Sequence, residues 1–572
     1  MSDVFFLVLR RLRLPLILLV TVYAVAVTGM TLIPGADADG NPVQMSFFHA
    51  FYFVSFMGTT IGFGEIPHPF TDQQRLWVLV FIYVSVIAWL YAIGTLLRLV
   101  QDPMFQAAVA DRVFRRAIEK QSQDFYIICG YGDTGRLIAR GLAQLNTQSV
   151  IIDADRTNLG TIELSELYPL PITVCGDITD PSVLMNAGIK HEHCRGVIAV
   201  TEDDHTNLNV AVSVKLLSPS TRVICRSEIE DEERNMRSFN TDSTINPFQL
   251  FSSRLEQLID NHAKHRVHSW LVNQYSKEYI NLEIAKNGLP RGHWVVCGYG
   301  RLGRAVTDIL ERLNVQVTVL DPDPIRDDGR FRFIAERGTE AQTLKNASIE
   351  SASVIVAASD DDANNLSTLM TARSLNAQLY SIGRVNKEAN HRLYLTARCD
   401  YVMRRSQLVS NEVLTLISRP LVSRFLEQVS ADTLPELIEQ IERLCPDDPP
   451  ITSRLTLDAQ CSPALFDQLA LGRLTVADVV NTDEQGLIQE IPLFLARRDA
   501  NEKSLLSTVL PTLDTQLLPN DQLLLCHARH ALPLAVELAN NAELVNSRIG
   551  GNPHTIPLWR AWYRYQQTLK HS

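Results

Sequence analysis

Two long stretches without a charged residue set the strongest limit on how this chain folds. Residues 14–33 read LPLILLVTVYAVAVTGMTLI, and residues 76–97 read LWVLVFIYVSVIAWLYAIGTLL. Each stretch has roughly 20 residues, which as a helix crosses the ~30 Å hydrocarbon core of a bilayer. No comparable stretch follows Arg98. The sequence therefore predicts a small membrane module attached to a large soluble body.

The charges that flank the two stretches predict their orientation. Arg10, Arg11 and Arg13 precede the first stretch, Arg98 follows the second, and the connection between them is mainly acidic. Because positively charged flanks stay in the cytoplasm, we expect a multi-pass protein of the cell (inner) membrane with both termini in the cytoplasm. A signal peptide is the alternative for the first stretch, but a second span follows closely and no small-residue cleavage site is obvious.

The segment between the two spans predicts more than a simple connection. Residues 45–57, MSFFHAFYFVSFM, are apolar and aromatic but too short to cross the membrane, as in a re-entrant helix that packs against protein. The residues that follow, Thr60-Ile61-Gly62-Phe63-Gly64, resemble the TVGYG selectivity filter of potassium channels and its TIGFG variants. A filter directs successive backbone carbonyls at a dehydrated ion, which requires backbone angles that glycine adopts readily.

The resemblance to a filter implies an assembly and a gate. Four copies of the loop surround the ion in such filters, so we expect a homotetramer that conducts potassium. The second span would then line the pore, with Gly94 as a bending point and Leu97 as a constriction; plain lipid or helix contact is the alternative for both. Glu65 departs from the aspartate that many family members carry after the last glycine.

The soluble body contains a duplicated pattern. FYIICGYGDTGRLIARGL begins at Phe125 and HWVVCGYGRLGRAVTDIL begins at His293. In each copy an acidic residue ends the next apolar strand, and all matching positions are offset by 168 residues: Gly130, Gly132, Gly135 and Asp153 in the first copy, and Gly298, Gly300, Gly303 and Asp321 in the second. A duplicated domain is the simplest explanation.

The two glycine patterns are typical of dinucleotide-binding sites. The glycines let a phosphate approach the backbone at a helix N-terminus, and the acid accepts hydrogen bonds from ribose hydroxyls. That acid also repels a 2′-phosphate, which disfavours NADP. A Rossmann scaffold that retains its glycine turn only for packing is the alternative. The order of strands over residues 124–420 resembles the RCK domains, also called TrkA-N domains, which regulate potassium channels and transporters.

The resemblance predicts the fold class and the domain organisation. We expect an α-helical membrane pore with two spans and a re-entrant pore helix, followed by two α/β Rossmann-like RCK domains and a small α+β C-terminal lobe. The predicted bounds are the pore module at 1–100, a gating linker at 101–123, the first RCK domain at 124–290, the N-lobe of the second at 291–430, its C-terminal lobe at 431–545 and a basic aromatic tail at 546–572.

The family implies adenine nucleotides, such as NAD or ADP, or calcium as ligands. Asp177 is expected near the base in the first copy. Inside the glycine turn the first copy has Asp133 and the second has Arg301, and since a guanidinium favours phosphate, we expect the copies to prefer different nucleotides. Of the family's calcium pattern only Glu228 is kept, because the other two positions are Val200 and Arg226. Calcium at that site is therefore doubtful.

Two other functions compete with a ligand-gated channel. A membrane-tethered, NAD-dependent oxidoreductase suits the glycine patterns, but no catalytic constellation accompanies them, and we expect a protein that is not an enzyme. A regulatory subunit of a separate transporter leaves the filter-like loop unexplained. The net charge of −11 argues against a nucleic-acid partner. In the channel hypothesis, the eight RCK domains of a homotetramer form a cytoplasmic gating assembly.

Overall fold

The structure is a computed structural model in which the chain divides into two compact units, residues 1–121 and 122–572. The residues it describes are 2–36, 41–66, 68–163, 165–272, 282–323, 329–446, 449–470, 472, 474–481, 489–498, 505–529, 534–541 and 543–545. The predicted tail at 546–572 lies outside the described residues.

The first unit is helical. Its helices are α1 (Ser2–Leu32), α2 (Phe47–Gly58), α3 (Asp72–Val100) and α4 (Pro103–Glu119), and a two-residue ribbon pairs β1 (Gly35–Ala36) with β2 (Pro42–Val43). Two segments are long and apolar enough to span a membrane, Arg10–Leu32 and Asp72–Val100. The short helix α2 lies between them, where the aromatic segment predicted a re-entrant helix. The predicted arrangement of two spans around a pore helix is confirmed.

The two long helices pack against each other through tryptophan side chains. Trp77 Nε1 donates a hydrogen bond to the Ala26 carbonyl at 3.2 Å, and Trp89 Nε1 donates to the Tyr23 hydroxyl at 3.0 Å. Gly29 lies against the Trp77 ring, where a Cβ atom would overlap it. Most other apolar side chains of α1 and α3 remain exposed. Such a surface is stable in lipid or against other subunits.

The second unit begins with a six-stranded parallel sheet in the order β5-β4-β3-β6-β7-β8. Its strands are β3 (Phe125–Cys129), β4 (Gln148–Asp153), β5 (Ile172–Cys175), β6 (Cys194–Ala199), β7 (Val223–Arg226) and β8 (Ser243–Ile245). Its helices are α5 (Asp133–Gln144), α6 (Arg156–Glu163), α7 (Pro181–Asn186), α8 (Asp204–Leu217) and α9 (Glu230–Ser238). The order reverses between β3 and β6, and ligands of such sheets bind at that switch point.

The second copy repeats this topology with the order β11-β10-β9-β12-β13-β14. Its strands are β9 (Trp294–Cys297), β10 (Val317–Leu320), β11 (Arg332–Ile334), β12 (Val354–Ala357), β13 (Tyr380–Val385) and β14 (Tyr401–Arg404). It is separated from the first sheet by α10 (Pro247–Asp260), α11 (His262–Val272) and α12 (Leu282–Asn287), and its own helices are α13 (Arg301–Arg312), α14 (Ala341–Asn346), α15 (Asp362–Leu375), α16 (His391–Thr396), α17 (Arg405–Ser418), α18 (Pro420–Gln428) and α19 (Leu434–Leu444).

The two copies exchange the helices that follow their last strands. Helix α10, which follows the first sheet, packs on α13 and inserts Phe248, Phe251 and Leu255 into the core of the second copy. Helix α17, which follows the second sheet, packs on α5 and inserts Val413 and Leu414 into the core of the first. Because each copy buries an apolar stripe of the other, the two copies fold as a single unit.

The C-terminal lobe is a four-stranded antiparallel sheet in the order β15-β18-β16-β17. It comprises β15 (Ile451–Thr456), α20 (Pro463–Ala470), α21 (Val476–Val479), β16 (Glu490–Arg498), β17 (Leu505–Val509), β18 (Gln522–His527) and α22 (Leu534–Asn540). Its two faces bury different apolar clusters, one of which includes Phe425 and Leu437 from the preceding helices. The predicted fold class is confirmed, including this small α+β lobe.

Candidate functional site

The filter-like loop has an alternating backbone. Thr60, Gly62 and Gly64 have φ angles of 63°, 66° and 95°, so every second residue lies in the left-handed region. Ile61 and Phe63 lie between them with ordinary backbone angles. Left-handed and right-handed residues in alternation turn successive carbonyls to the same side of the chain, which a row of ion-coordinating oxygens requires. The predicted filter residues thus have a backbone that suits ion coordination.

The loop is fixed at both of its ends. At its start, the Ile61 amide donates to the Phe56 carbonyl at 3.0 Å, and the Phe56 ring lies edge-on to Phe63 with centroids 5.5 Å apart. At its end, Glu65 accepts hydrogen bonds from Arg75 Nε at 2.9 Å and from the Phe70 amide at 2.9 Å. The Arg75 hydrogen bond, with the Phe70 amide, lowers the pKa of Glu65 to about 2. Glu65 therefore joins the loop to the start of α3.

On the channel hypothesis, we expect Glu65→Gln to shorten the conducting periods roughly two- to fivefold, because exposed ion pairs contribute only about 0.2–1 kcal/mol. Potassium selectivity should persist, since the filter carbonyls are unchanged. Asp72→Asn is the matched control, because the Asp72 side chain is exposed and its contact with the same guanidinium is longer, 3.5 Å against 2.9 Å for Glu65. Single-channel recording measures both variants, and equal open times for Glu65→Gln and the wild type would contradict this role.

The same ion pair predicts a loss of stability that is confined to acid. A carboxylate with a lowered pKa stabilises the folded state in full above its unfolded pKa, and this contribution is lost as the pH falls from there through the folded value. For Glu65 the pKa is lowered from its ordinary value of 4.5 to about 2. The contribution should therefore be unchanged from about pH 7 to about pH 6 and should disappear as the pH falls from about 4.5 through about 2.

Both predicted gate residues lie on α3. A Cβ atom at Gly94 would meet no atom within 4 Å, and the Leu97 side chain is 56% exposed in the isolated chain. Both positions are thus available to a pore or a neighbouring subunit, and their gating role stays a prediction.

The two glycine turns have the same geometry. Gly130 and Gly298 have φ angles of 100° and 102° and lie against the end of the neighbouring strand. Gly132 and Gly300 cap α5 and α13, with no side-chain hydrogen bond to the helix amides, and a Cβ atom at either would enter open space. Each turn therefore leaves the first amides of its helix without a side-chain cap and leaves room for a phosphate to approach them.

The third glycine of each turn is required for packing. A Cβ atom on Gly135 would overlap the Gly130 carbonyl oxygen, and one on Gly303 would overlap the Gly298 carbonyl oxygen. These glycines hold each helix against the preceding strand, as they do in dinucleotide-binding turns.

The predicted ribose acids lie at the turns as expected. Asp153 Oδ2 accepts a hydrogen bond from the Tyr131 amide, and Asp321 Oδ2 accepts one from the Tyr299 amide at 2.6 Å. Asp177, by contrast, is exposed, and hydrogen bonds from the Thr179 hydroxyl and amide lower its pKa. Its role near a base stays a prediction, while Asp153 and Asp321 are each tied to a glycine turn.

The second cleft encloses a cavity of about 500 Å³, a size that suits a nucleotide. Its lining includes four residues that the sequence predicted: Gly298, Gly300, Arg301 and Asp321. Further lining residues are Arg304, Arg337, Gly338, Thr339, Ser359, Asp360, Asn365 and Arg384.

Sequence reasoning missed a buried polar network that recurs in both copies. Asn207 receives hydrogen bonds from the Thr201 amide and hydroxyl and donates to the Arg226 carbonyl at 3.0 Å. In the second copy Asn365 makes the same contacts with Ser359 and Arg384. The network places Arg226 and Arg384 at equivalent positions of the two copies. In the sequence, the residues of this network repeat with an offset of 158 residues, which is shorter than the offset of the glycines. That repeat is the signal from which the network could have been predicted.

Glu228 has surroundings that oppose a calcium ligand. It is buried and pairs with Arg226, with Arg405 Nη1 at 2.9 Å and with Arg301 Nη1 at 2.6 Å. Burial raises its pKa, but these guanidinium groups outweigh burial and hold the pKa below its usual range. A cation would have to displace three arginines from one carboxylate. The structure thus argues against a metal role for the candidate Glu228, and among the described residues no cluster of acids, histidines and cysteines could hold a metal.

Together these features define a membrane ion channel with paired nucleotide-type domains. The family described as "Ion channel" matches residues 16–102, and the family described as "TrkA-N domain" matches residues 126–247 and 294–405, so the matches cover more than half of the chain. With its TIGFG filter between two spans, the chain belongs to the potassium channels that carry tandem RCK (TrkA-N) domains.

Two curated relatives with the name of potassium channels match part of this chain. Potassium channel protein 1 of Methanocaldococcus jannaschii is 28% identical over 42% of this chain and 71% of its own length. The voltage-gated potassium channel Kch of Escherichia coli is 25% identical over 38% of this chain and only half of its own length. A solved structure titled "GsuK Channel" is 16% identical, covers 95% of this chain and all of its own, and has a TM-score of 0.48.

Proposed function

We propose that this chain is the subunit of a homotetrameric, potassium-selective channel whose opening is controlled by adenine nucleotides, NAD or ADP, in the RCK clefts. The observation that carries the proposal is the alternation of left-handed residues at Thr60, Gly62 and Gly64 in a loop between two spans. Four such loops around one axis supply the carbonyl cage that replaces potassium's water.

Nucleotides are the ligands that the clefts support best. Both copies retain an uncapped helix N-terminus, an open middle glycine and an acid at the turn. A nucleotide shifts the gate only if its affinity differs between the closed and open states. The eight RCK domains of the tetramer form the cytoplasmic assembly that couples this difference to α3. Calcium gating has no support at Glu228 and is not part of the proposal.

Reconstitution in liposomes separates this function from its rivals. We expect potassium flux that exceeds sodium flux at least tenfold and that changes with added NAD or ADP. Turnover of a nicotinamide substrate would favour the membrane-tethered oxidoreductase. Nucleotide binding without any flux would favour a regulatory subunit. Equal sodium and potassium flux, or an assembly without fourfold symmetry, would overturn the proposal.

A further inference from the structure

Arg384 is a buried guanidinium that forms no ion pair within the described part of the chain. It is 4% exposed and lies at the end of β13, where it lines the second cleft. Its one hydrogen bond goes to the Ala358 carbonyl at 3.4 Å, and its Nε atom has no partner in the described part of the chain. Burial and the nearby Arg405 lower its pKa to about 10, although the charges of Glu228 and Asp360 act in the opposite direction. A buried charge in this state favours an anion from outside the protein.

In the first copy, the arginine at the equivalent position has an acidic partner. Arg226 occupies the equivalent position and forms an ion pair with Glu228 two residues later. In the second copy Asn386 stands where the first has Glu228: Asp362 accepts the Asn386 amide just as Asp204 accepts the Glu228 amide. The first copy therefore supplies its own carboxylate, whereas the second leaves Arg384 facing the cavity.

Glu228 also reaches across to the second copy. Its carboxylate contacts Arg301 at the start of α13, and Arg301 lines the same cavity as Arg384. The guanidinium groups of Arg301 and Arg384 lie 5.3 and 5.1 Å from the ring centroid of Phe248, which belongs to the exchanged helix α10. The Glu228 carboxylate of the first copy thus pairs with several arginines, and one of them, Arg301, lines the cavity of the second copy.

We propose that Arg384 and Arg301 form a subsite of the second cleft for the terminal phosphate of a nucleoside diphosphate, and that Glu228 of the first copy competes with this phosphate for Arg301. The inference rests on the proposed nucleotide function of the cleft. The first phosphate meets the amides at the start of α13, and the terminal phosphate supplies the anion that Arg384 lacks. Binding releases Glu228 from Arg301, so occupancy of one copy alters a contact made by the other.

The test is calorimetric titration of the full-length channel in detergent with ADP and with AMP. A Gly132→Val background closes the first cleft, so the heat reports the second. We expect ADP to bind about tenfold tighter than AMP, since the terminal phosphate of ADP adds hydrogen bonds between charged groups that AMP does not make. Glu228→Gln should tighten ADP binding about tenfold and change AMP binding little, because it frees Arg301 for the terminal phosphate.

Two further variants complete the design. Asn386→Glu gives Arg384 the acid that the first copy has, and we expect it to weaken ADP binding about tenfold. Glu388→Gln is the matched control, because Glu388 pairs with Arg404 outside the cavity lining, and it should leave both affinities unchanged.

The possible outcomes separate this inference from the proposed function. Unchanged ADP affinity in Glu228→Gln, or equal gains for ADP and AMP, would overturn the phosphate subsite while nucleotide binding stands. Absence of any nucleotide heat in the channel with both clefts intact would overturn both proposals. Loss of ADP preference in Asn386→Glu together with its gain in Glu228→Gln would support the subsite, because the two variants act on different side chains in opposite directions.

Discussion

Replacing Gly62 with alanine abolishes potassium flux through the reconstituted channel and leaves nucleotide binding intact. Gly62 has a φ angle of 66°, and a Cβ atom there would meet no atom of its own chain within 4 Å. The expected defect therefore comes from the backbone rather than from a clash. A residue with a Cβ atom costs about 1–2 kcal/mol in the left-handed region. Because four subunits share one ion path, this cost is incurred four times.

Flux and ligand binding are measured on the same preparation. Liposome flux assays should show loss of potassium transport in Gly62→Ala, and calorimetry should show wild-type nucleotide affinity. Gly160→Ala is the control for a glycine-to-alanine change, because Gly160 has no positive φ angle and open space around its Cβ position. Wild-type flux in Gly62→Ala would remove the filter from its proposed role.

Filling the middle glycine of either turn should abolish nucleotide binding in that cleft alone. A Cβ atom at Gly132 or Gly300 enters open space where a phosphate must approach the helix amides, and neither glycine has a positive φ angle. Gly300→Val should therefore fold normally and weaken binding in the second cleft more than about a hundredfold, since it blocks the backbone approach on which such sites depend. Gly132→Val should do the same in the first cleft.

The two variants control for each other. Calorimetry of each single variant should show one of two binding events, and the double variant should show none. Thermal unfolding should match that of the wild type for both, because the substituted side chains point into space that the protein leaves open. Two intact binding events in Gly300→Val would show that the second cleft is not a nucleotide site. Flux recordings of the two variants with NAD and ADP would show whether gating depends on one cleft or on both.

The sequence predicted the parts whose signals are local. Long apolar stretches are readable because lipid requires a continuous apolar helix, and the filter and glycine turns are readable because each needs glycine at fixed spacing. The bounds of the pore helix differed little, from 45–57 predicted to Phe47–Gly58 observed. The repeat also placed Asp153 and Asp321 beside their turns.

The environment of Glu228 could not be read in the same way. Its sequence neighbourhood suggested a remnant calcium ligand, yet its partners Arg301 and Arg405 are far away along the chain. In the sequence, an acidic residue is written the same way whether its partner is a metal ion or the guanidinium group of an arginine. Only contacts between distant segments show which charge is nearby, and here they involve Arg405 at the start of the exchanged helix α17 and Arg301 at the start of α13.

By itself the sequence determined that this protein crosses a membrane, carries a filter and contains two nucleotide-type folds, because lipid solvation, backbone angles and helix termini act within a few residues. The tertiary structure decided which charges meet. Within the described part of the chain Arg384 forms no ion pair, and Glu228 pairs with arginines of both copies, because strands and helices distant in sequence converge at the second cleft. Electrostatic pairing depends on distance in space, and the order of residues along the chain does not encode that distance directly.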